Sequence, residues 1–217
     1  MKPLPENSEM TVFDPDCRQC KRLDDFLQQV KSQHPDYQAR PVAPFGVDEP
    51  KLLVVGLAPG MHGANATGRP FTGDYAGLLL YESLYEFGYS NKPQSESLHD
   101  GLELYHARIT NAVKCLPPQN KPTLAEIKQC NPYLAAEIRS LPEHTVILAL
   151  GSIAHQAVLK VYNLPIKQAP FKHNQVTYLP DQRFLVSSYH SSRYNVQTKR
   201  LTKEMFVEVF QTIASLN

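Results

Sequence analysis

Between Leu52 and Asp74 the chain reads LLVVGLAPGMHGANATGRPFTGD, an apolar run that breaks into a loop carrying Gly56, Gly60, Gly63, Gly68 and Gly73 and ends on a carboxylate. Backbone amides in such a loop, just before a helix, can approach a phosphate or a planar ring closely. Two later stretches offer side chains to the same ligand. Asn111 ends the run Arg108-Ile-Thr-Asn111, and its amide holds both a donor and an acceptor, which suits the edge of a pyrimidine, with a local turn bond as the alternative. His190 follows Phe184-Leu-Val-Ser-Ser188 and supplies an imidazole, with a satisfied core or turn histidine as the alternative. The remaining reactive groups are the thiols of Cys17, Cys20, Cys115 and Cys130, which account for all four cysteines. Cys17-x-x-Cys20 with two distant partners suits a tetrahedral thiolate site for zinc or an iron-sulfur cluster better than a structural disulfide. Cys130 also shares an apolar helix face with Ile127, Leu134 and Ile138, so simple packing is the alternative.

Two common phosphate motifs are excluded. Gly63 to Pro70 has the glycine spacing of a P-loop, but Arg69-Pro70 stands where Lys and Ser or Thr must follow the second glycine. The dinucleotide fingerprint needs its glycines at a tight strand-to-helix turn, and this loop is too long.

The elements that position these groups alternate. Leu52–Gly56, Arg108–Asn111, Thr145–Leu150 and Phe184–Ser188 read as strands, and Thr145–Leu150 is apolar enough to be covered on both faces. Helices are expected from about Asp16 to Ser32 with Asp14 or Asp16 as cap, from near Tyr75 with Asp74 as cap, from the capping box Thr123-x-x-Glu126, from a Gly151-Ser152 cap through Val161, and from about Thr198. The economical fold is α/β: a single-domain α/β/α sandwich around a central four-stranded parallel sheet. Asn111, the Gly56 loop and His190 then meet at the C-terminal edge of the sheet, where open α/β sheets bind ligands. The polar stretch between Gly88 and Arg108 reads as loop, and its His99 and His106 receive no role.

A length of 217 residues suits one domain over 1–217, with residues 1–12 expected to be loose. No apolar run reaches membrane-spanning length and the N-terminus lacks a signal-peptide core, so a cytoplasmic protein with no membrane partner is expected, as a monomer. A net charge of +1 gives no global nucleic-acid signature, so any DNA contact must rest on local charge. Acid-free stretches exist: Arg193, Lys199, Arg200 and Lys203 lie in one, Lys114 and Lys121 in another.

The string GLAPG, then HG, then N-T-GRPFTGD, closely resembles the first motif of the uracil-DNA glycosylase superfamily, above all its iron-sulfur type B, or fifth, family. Asn111 matches the asparagine of the second sheet motif, and His190-Ser-Ser-Arg-Tyr-Asn is similar to the closing motif, where His-Pro-Ser-Arg is usual. The four cysteines fall where those of the iron-sulfur glycosylases do, so the resemblance implies a [4Fe-4S] cluster on Cys17, Cys20, Cys115 and Cys130 that pins the N-terminal helix and the Pro117 to Pro122 loop.

The resemblance further implies a repair enzyme that hydrolyses the N-glycosidic bond of uracil in DNA, with other deaminated bases such as hypoxanthine, after extruding the nucleotide into a pocket. Asp74, Asn111 and His190 become the catalytic set, with Asp74 either activating water or only capping its helix. Gly56, Ala58, Gly60, Phe71 and Asn111 would hold the base. His62, Arg69, Ser192, Arg193 and Tyr194 would contact DNA, the last two filling the gap left by the flipped nucleotide. Phe71 is expected to avoid deep burial, flanked as it is by Pro70 and Thr72 in a glycine loop. This chain departs from the family pattern at Ser191, where proline is usual, which should leave the loop more flexible. At Ala66 arginine is common, which removes one phosphate contact. The alternative function is a non-catalytic iron-sulfur or zinc protein that binds nucleic acid; a third is a zinc-stabilised protein acting on free nucleotides.

Overall fold

The computed structural model describes residues 12–217, and the N-terminal residues before them, on which most of the expected loose segment falls, lie outside the described residues. Six strands form one sheet in the order β1-β3-β2-β4-β6-β5: β1 (Phe45–Gly46), β2 (Leu52–Gly56), β3 (Ala107–Asn111), β4 (Val146–Leu150), β5 (Gln175–Tyr178) and β6 (Phe184–Ser188). The central four are parallel, with Gly56 opposite Asn111 and Leu150 opposite Ser188, so the strand ends that carry the candidate groups share one edge. Two antiparallel edge strands, β1 and β5, flank the four expected ones. They escape a reading of hydrophobic pattern because both are short and partly exposed.

Alternation along the strands sorts the core into two layers. Leu52, Val54 and Leu148 face the helices α3 (Tyr75–Glu86) and α7 (Lys203–Ala214), with Leu80, Phe206 and Phe210. Leu53, Val55 and Ile147 face α4 (Leu124–Ser140) and α5 (Ser152–Val161), with Leu134 and Val158. A sheet buried on both faces by parallel crossovers is the α/β/α sandwich that the sequence implies.

Helix ends explain most of the boundaries. Asp74 accepts the N–H of Gly77 at 2.9 Å and starts α3; Thr123 and Glu126 complete the capping box of α4. Two expected starts are corrected. The first helix, α1, runs Lys21–Gln33 with Cys20 at its cap, because Asp14 accepts the N–H of Asp16 and closes a local turn that competes with helix. The last helix starts after Thr202; Thr198 instead ends a five-residue α6 (Arg193–Gln197), and the left-handed Lys199 breaks the chain between them. A one-turn α2 (Ala64–Thr67) also interrupts the glycine loop.

Candidate active site

At the C-terminal edge of the sheet lies a crevice of about 390 Å³. Phe71, Asp74, Asn111 and His190 line it together with Ala58, Gly60, Ser192 and Arg193. Strand ends deliver each polar group. Asn111 closes β3, 3% exposed, and His190 follows β6 across from Gly151, which adopts a φ of 92° and packs on the histidine Cβ. Gly56 stands behind the crevice as a spacer: a Cβ there would meet Asn111 Oδ1 and come within 2.7 Å of the Phe71 ring. Glycine is therefore required by close approach.

The polar groups in the crevice are left with capacity to spare. Among the described residues, neither the Asn111 amide nor the His190 ring makes a hydrogen bond within the protein, although Asn195 Nδ2 donates to the His190 carbonyl at 2.8 Å and steadies its backbone. Burial pushes the imidazole down to about 4, so His190 is neutral near pH 7 and offers one N–H. Asp74 divides its oxygens. Oδ1 caps α3, and Oδ2 faces the glycine loop, where a Cβ on Gly63 would come within 2.6 Å of it. Burial raises the Asp74 carboxyl above its ordinary value, and the N–H groups of Gly77 and Ala76 only partly offset this. The cap and the crevice thus use one side chain at the same time.

Phe71 is buried, at 6% exposure, contrary to the expectation from its glycine-rich setting. Its ring faces that of His190 at 5.9 Å, and its backbone holds a positive φ of 55°, a conformation that costs of order 1 kcal/mol for such a residue and persists only when neighbours enforce it. The neighbours are visible. Tyr81 Oη donates to the Pro70 carbonyl at 2.8 Å, and Thr72 shares a 2.6 Å hydrogen bond with Ser95.

Arg69 belongs to that frame and not to a DNA surface, which corrects its assignment. Its side chain is 4% exposed, pairs with Asp100 at 2.9 Å, donates to Ser95 and to the Leu98 carbonyl, and stacks over Phe45. Burial alone would raise the Asp100 carboxyl, but Arg69 and the N–H groups of Leu102, Glu96 and Ser97 hold it well below the usual range. The loop between Gly88 and Arg108, featureless as sequence, therefore carries the counter-ion that shapes the crevice.

The remaining DNA candidates divide. Ser192 and Arg193 reach the crevice, with Ser192 capping α6 and Arg193 lying over the Tyr75 ring. Tyr194 is 69% exposed beside them. His62 sits outside the crevice wall on the exposed side of the loop, its Nδ1 hydrogen-bonded to Tyr37 Oη at 2.7 Å. Ser191 does not leave the loop untethered: its Oγ donates to the Ala76 carbonyl at 2.8 Å, a bond proline could not make. Lys114 is also corrected. It is buried against Glu137 at 3.1 Å and contributes nothing to a basic surface, while Lys203 is held by Glu82 and Glu86.

One polar crevice residue escaped the sequence reading. Asn120 ends a short 3-10 helix (Pro118–Asn120) and lines the crevice. Gln119 and Asn120 both have φ near 55°, and an Asn in a proline-rich turn was the available signal, since Asn tolerates the left-handed region.

The four cysteines line a second, small cavity of about 20 Å³ where the start of α1, the segment after β3 and α4 meet. Burial pushes the Cys20 thiol up to about 11, with Cys130 and Glu126 adding to it, and pushes Cys115 and Cys130 up as well. The Lys114 N–H points at Cys130 Sγ from 3.3 Å, and Arg22 clamps α1 to Glu126 of α4 through two 2.7 Å bonds. Among the described residues no group of three or more potential ligands closes on a single-ion site. Cys20, Cys115 and Ala58 pack in one apolar group, so the cavity abuts the crevice.

Fold and crevice define a class: a doubly wound α/β protein with a ring-sized site at the C-terminal edge of its parallel strands. The profile of the Uracil DNA glycosylase superfamily matches residues 43–214. A Type-5 uracil-DNA glycosylase of Thermus thermophilus is 47% identical over 198 residues, 89% of this chain and 90% of that protein. One from Mycobacterium leprae is 41% identical, covering 98% and 95%. A Type-4 uracil-DNA glycosylase of Archaeoglobus fulgidus is more distant, at 30% over 68% of the chain. The chain belongs to the uracil-DNA glycosylase superfamily, and its likeness within it is to the type-5 proteins. Among the described residues no helix is long and apolar enough to cross a membrane.

Proposed function

We propose that this protein excises uracil from DNA by hydrolysing the bond between the base and the sugar, with Asp74, Asn111 and His190 as the reacting shell. The observation that carries the reading is their convergence on one crevice beside Phe71, with the Asn111 amide, the His190 ring and Asp74 Oδ2 left without a hydrogen-bond partner among the described residues. A nucleotide flipped out of the duplex places its base against Phe71, where stacking contributes roughly 1 to 3 kcal/mol. Asn111 hydrogen-bonds the base edge. As the glycosidic bond breaks, its electron pair leaves with the base, and the neutral His190 N–H donates to the carbonyl oxygen on which that charge collects. The sugar becomes oxocarbenium-like. Asp74 Oδ2, free of the cap, orients water towards the anomeric carbon and takes its proton. Ser192, Arg193 and Tyr194 stand on the side where the opened duplex would lie. Leu57 and Ala58 add apolar wall with few fixed polar contacts, which favours acceptance of other deaminated bases such as hypoxanthine. The reading includes a monomer acting in the cytoplasm.

The donor set of the small cavity fits a [4Fe-4S] cluster: four thiols on one wall, alongside the oxygen groups of Asp14, Asp24, Gln19, Gln129 and Tyr133 but no histidine, and a backbone N–H aimed at one sulfur. Cys17, Cys20, Cys115 and Cys130 would hold it, and when bound it would cross-link α1, α4 and the segment leading to Asn120. Iron and sulfide analysis of anaerobically purified protein should give four of each per chain, by the stoichiometry of such a centre. Zinc at one equivalent would reject the assignment.

The test of function is single-turnover cleavage of an end-labelled duplex with one deoxyuridine, scored after alkali. Breakage at that site by the parent, lost in His190→Ala, is expected. Folded protein that binds the duplex and leaves uracil and hypoxanthine in place would establish a binder instead.

A further inference from the structure

The segment that follows His190 hangs on α3 at both ends. Lys203 bridges Glu82 and Glu86 at 2.9 and 2.7 Å, and at the near end Ser191, with no exposed surface, donates its hydroxyl to the Ala76 carbonyl. Hydroxyls in this segment otherwise bond locally, as Ser192 does to Asn195 and Thr198 to Tyr194. Ser191 instead reaches across 115 residues of sequence. Its target lies in the first turn of α3, two residues past the capping Asp74, and Ala76 itself faces the crevice.

No hydrogen bond within the described residues orients the His190 ring. Its position therefore depends on stacking against Phe71 and on the backbone to either side, held by the Gly151 N–H bond to the Ser188 carbonyl, by Asn195 and by Ser191. Of these, only Ser191 connects the histidine to the helix that carries Asp74. We propose that Ser191 is a positioning residue for base excision: its bond to Ala76 holds the imidazole of His190 in register with the Asp74 carboxylate across the crevice. The inference rests on the glycosylase reading above. Two catalytic groups on separate elements need such a link, because misplacement by about 1 Å can cost up to 10²-fold in rate.

The test compares the parent, Ser191→Ala, His190→Ala and the double variant on the deoxyuridine duplex, and follows the histidine ring signals by NMR, with the His190 signal assigned from its loss in His190→Ala. Ser191→Ala is expected to lower kcat about tenfold with KM within about twofold, as for an interaction felt in the transition state. In the His190→Ala background the same change should cost almost nothing. The His190 signal should shift or broaden in Ser191→Ala while other histidine signals and the melting temperature stay put. A parental rate with an unmoved His190 signal would overturn the proposal, as would an equal loss in both backgrounds. If the parent leaves uracil intact, the glycosylase reading fails, and the ring signals alone decide the tether.

Discussion

Two polar regions lie a few residues apart on the same strand end and are built in opposite ways. In the first, Glu137 of α4 is wholly buried and fully engaged: it accepts from Arg108 at 2.8 Å, from Thr110 at 2.8 Å and from Lys114 at 3.1 Å. In the second, Asn111, His190 and one oxygen of Asp74 surround a cavity without protein partners. Glu137 and Asn111 are both buried, and Asp74 and His190 are half-buried at the crevice wall, so what separates the two regions is satisfaction. Buried polar groups cost free energy unless paired, so the network behind the sheet is where a fold resolves that cost, and the crevice is where it is left for a ligand to resolve.

The comparison breaks most visibly if the network is cut. Glu137→Ala leaves Lys114 and Arg108 facing a buried void, and should lower stability by about 4 kcal/mol in urea denaturation, as for a buried ion pair that loses one partner. A loss under about 1 kcal/mol would mean that water or a rearranged partner replaces it. Next in size is His190→Ala, which should lose about 10²- to 10³-fold in single-turnover rate while stability hardly falls, since the ring is not spent on internal bonds. The reverse outcome, an unfolded variant, would erase the distinction between the regions.

Asp74→Asn sharpens the contrast inside one side chain. Asparagine also caps helices, so α3 should persist and the melting temperature should hold, while the rate falls about 10²-fold if Oδ2 serves water. An unchanged rate would assign Asp74 to the cap alone. The smallest expected effect is on pH. The Asp74 carboxyl is raised by burial, so its ionised form is lost at a higher pH than for an ordinary aspartate, and the acid limb of kcat/KM should lie above the usual carboxylate value. His190, pushed down to about 4, is already neutral there and should add no limb across the neutral range. A limb with an ordinary histidine midpoint that vanishes in His190→Ala would contradict that burial.

Much of the frame is written locally. The four parallel strands, the Asp74 cap, the Thr123–Glu126 box and the order of helices follow from hydrophobic period and capping chemistry, which act over a few residues. The glycine loop also declared itself, because a side chain at Gly56 or Gly63 would strike Phe71, Asn111 or Asp74. Tertiary structure alone decided which charges are spent. Arg69 and Lys114 look, in sequence, like candidates for a phosphate, yet they find Asp100 and Glu137 at separations of 31 and 23 residues. Asn120 reaches the crevice only through the path of its turn, and Ser191 finds Ala76 at a separation of 115 residues. A side chain's type fixes what bonds it can make; the fold fixes which partners arrive and which bonds remain open, and that remainder is where the chemistry lies.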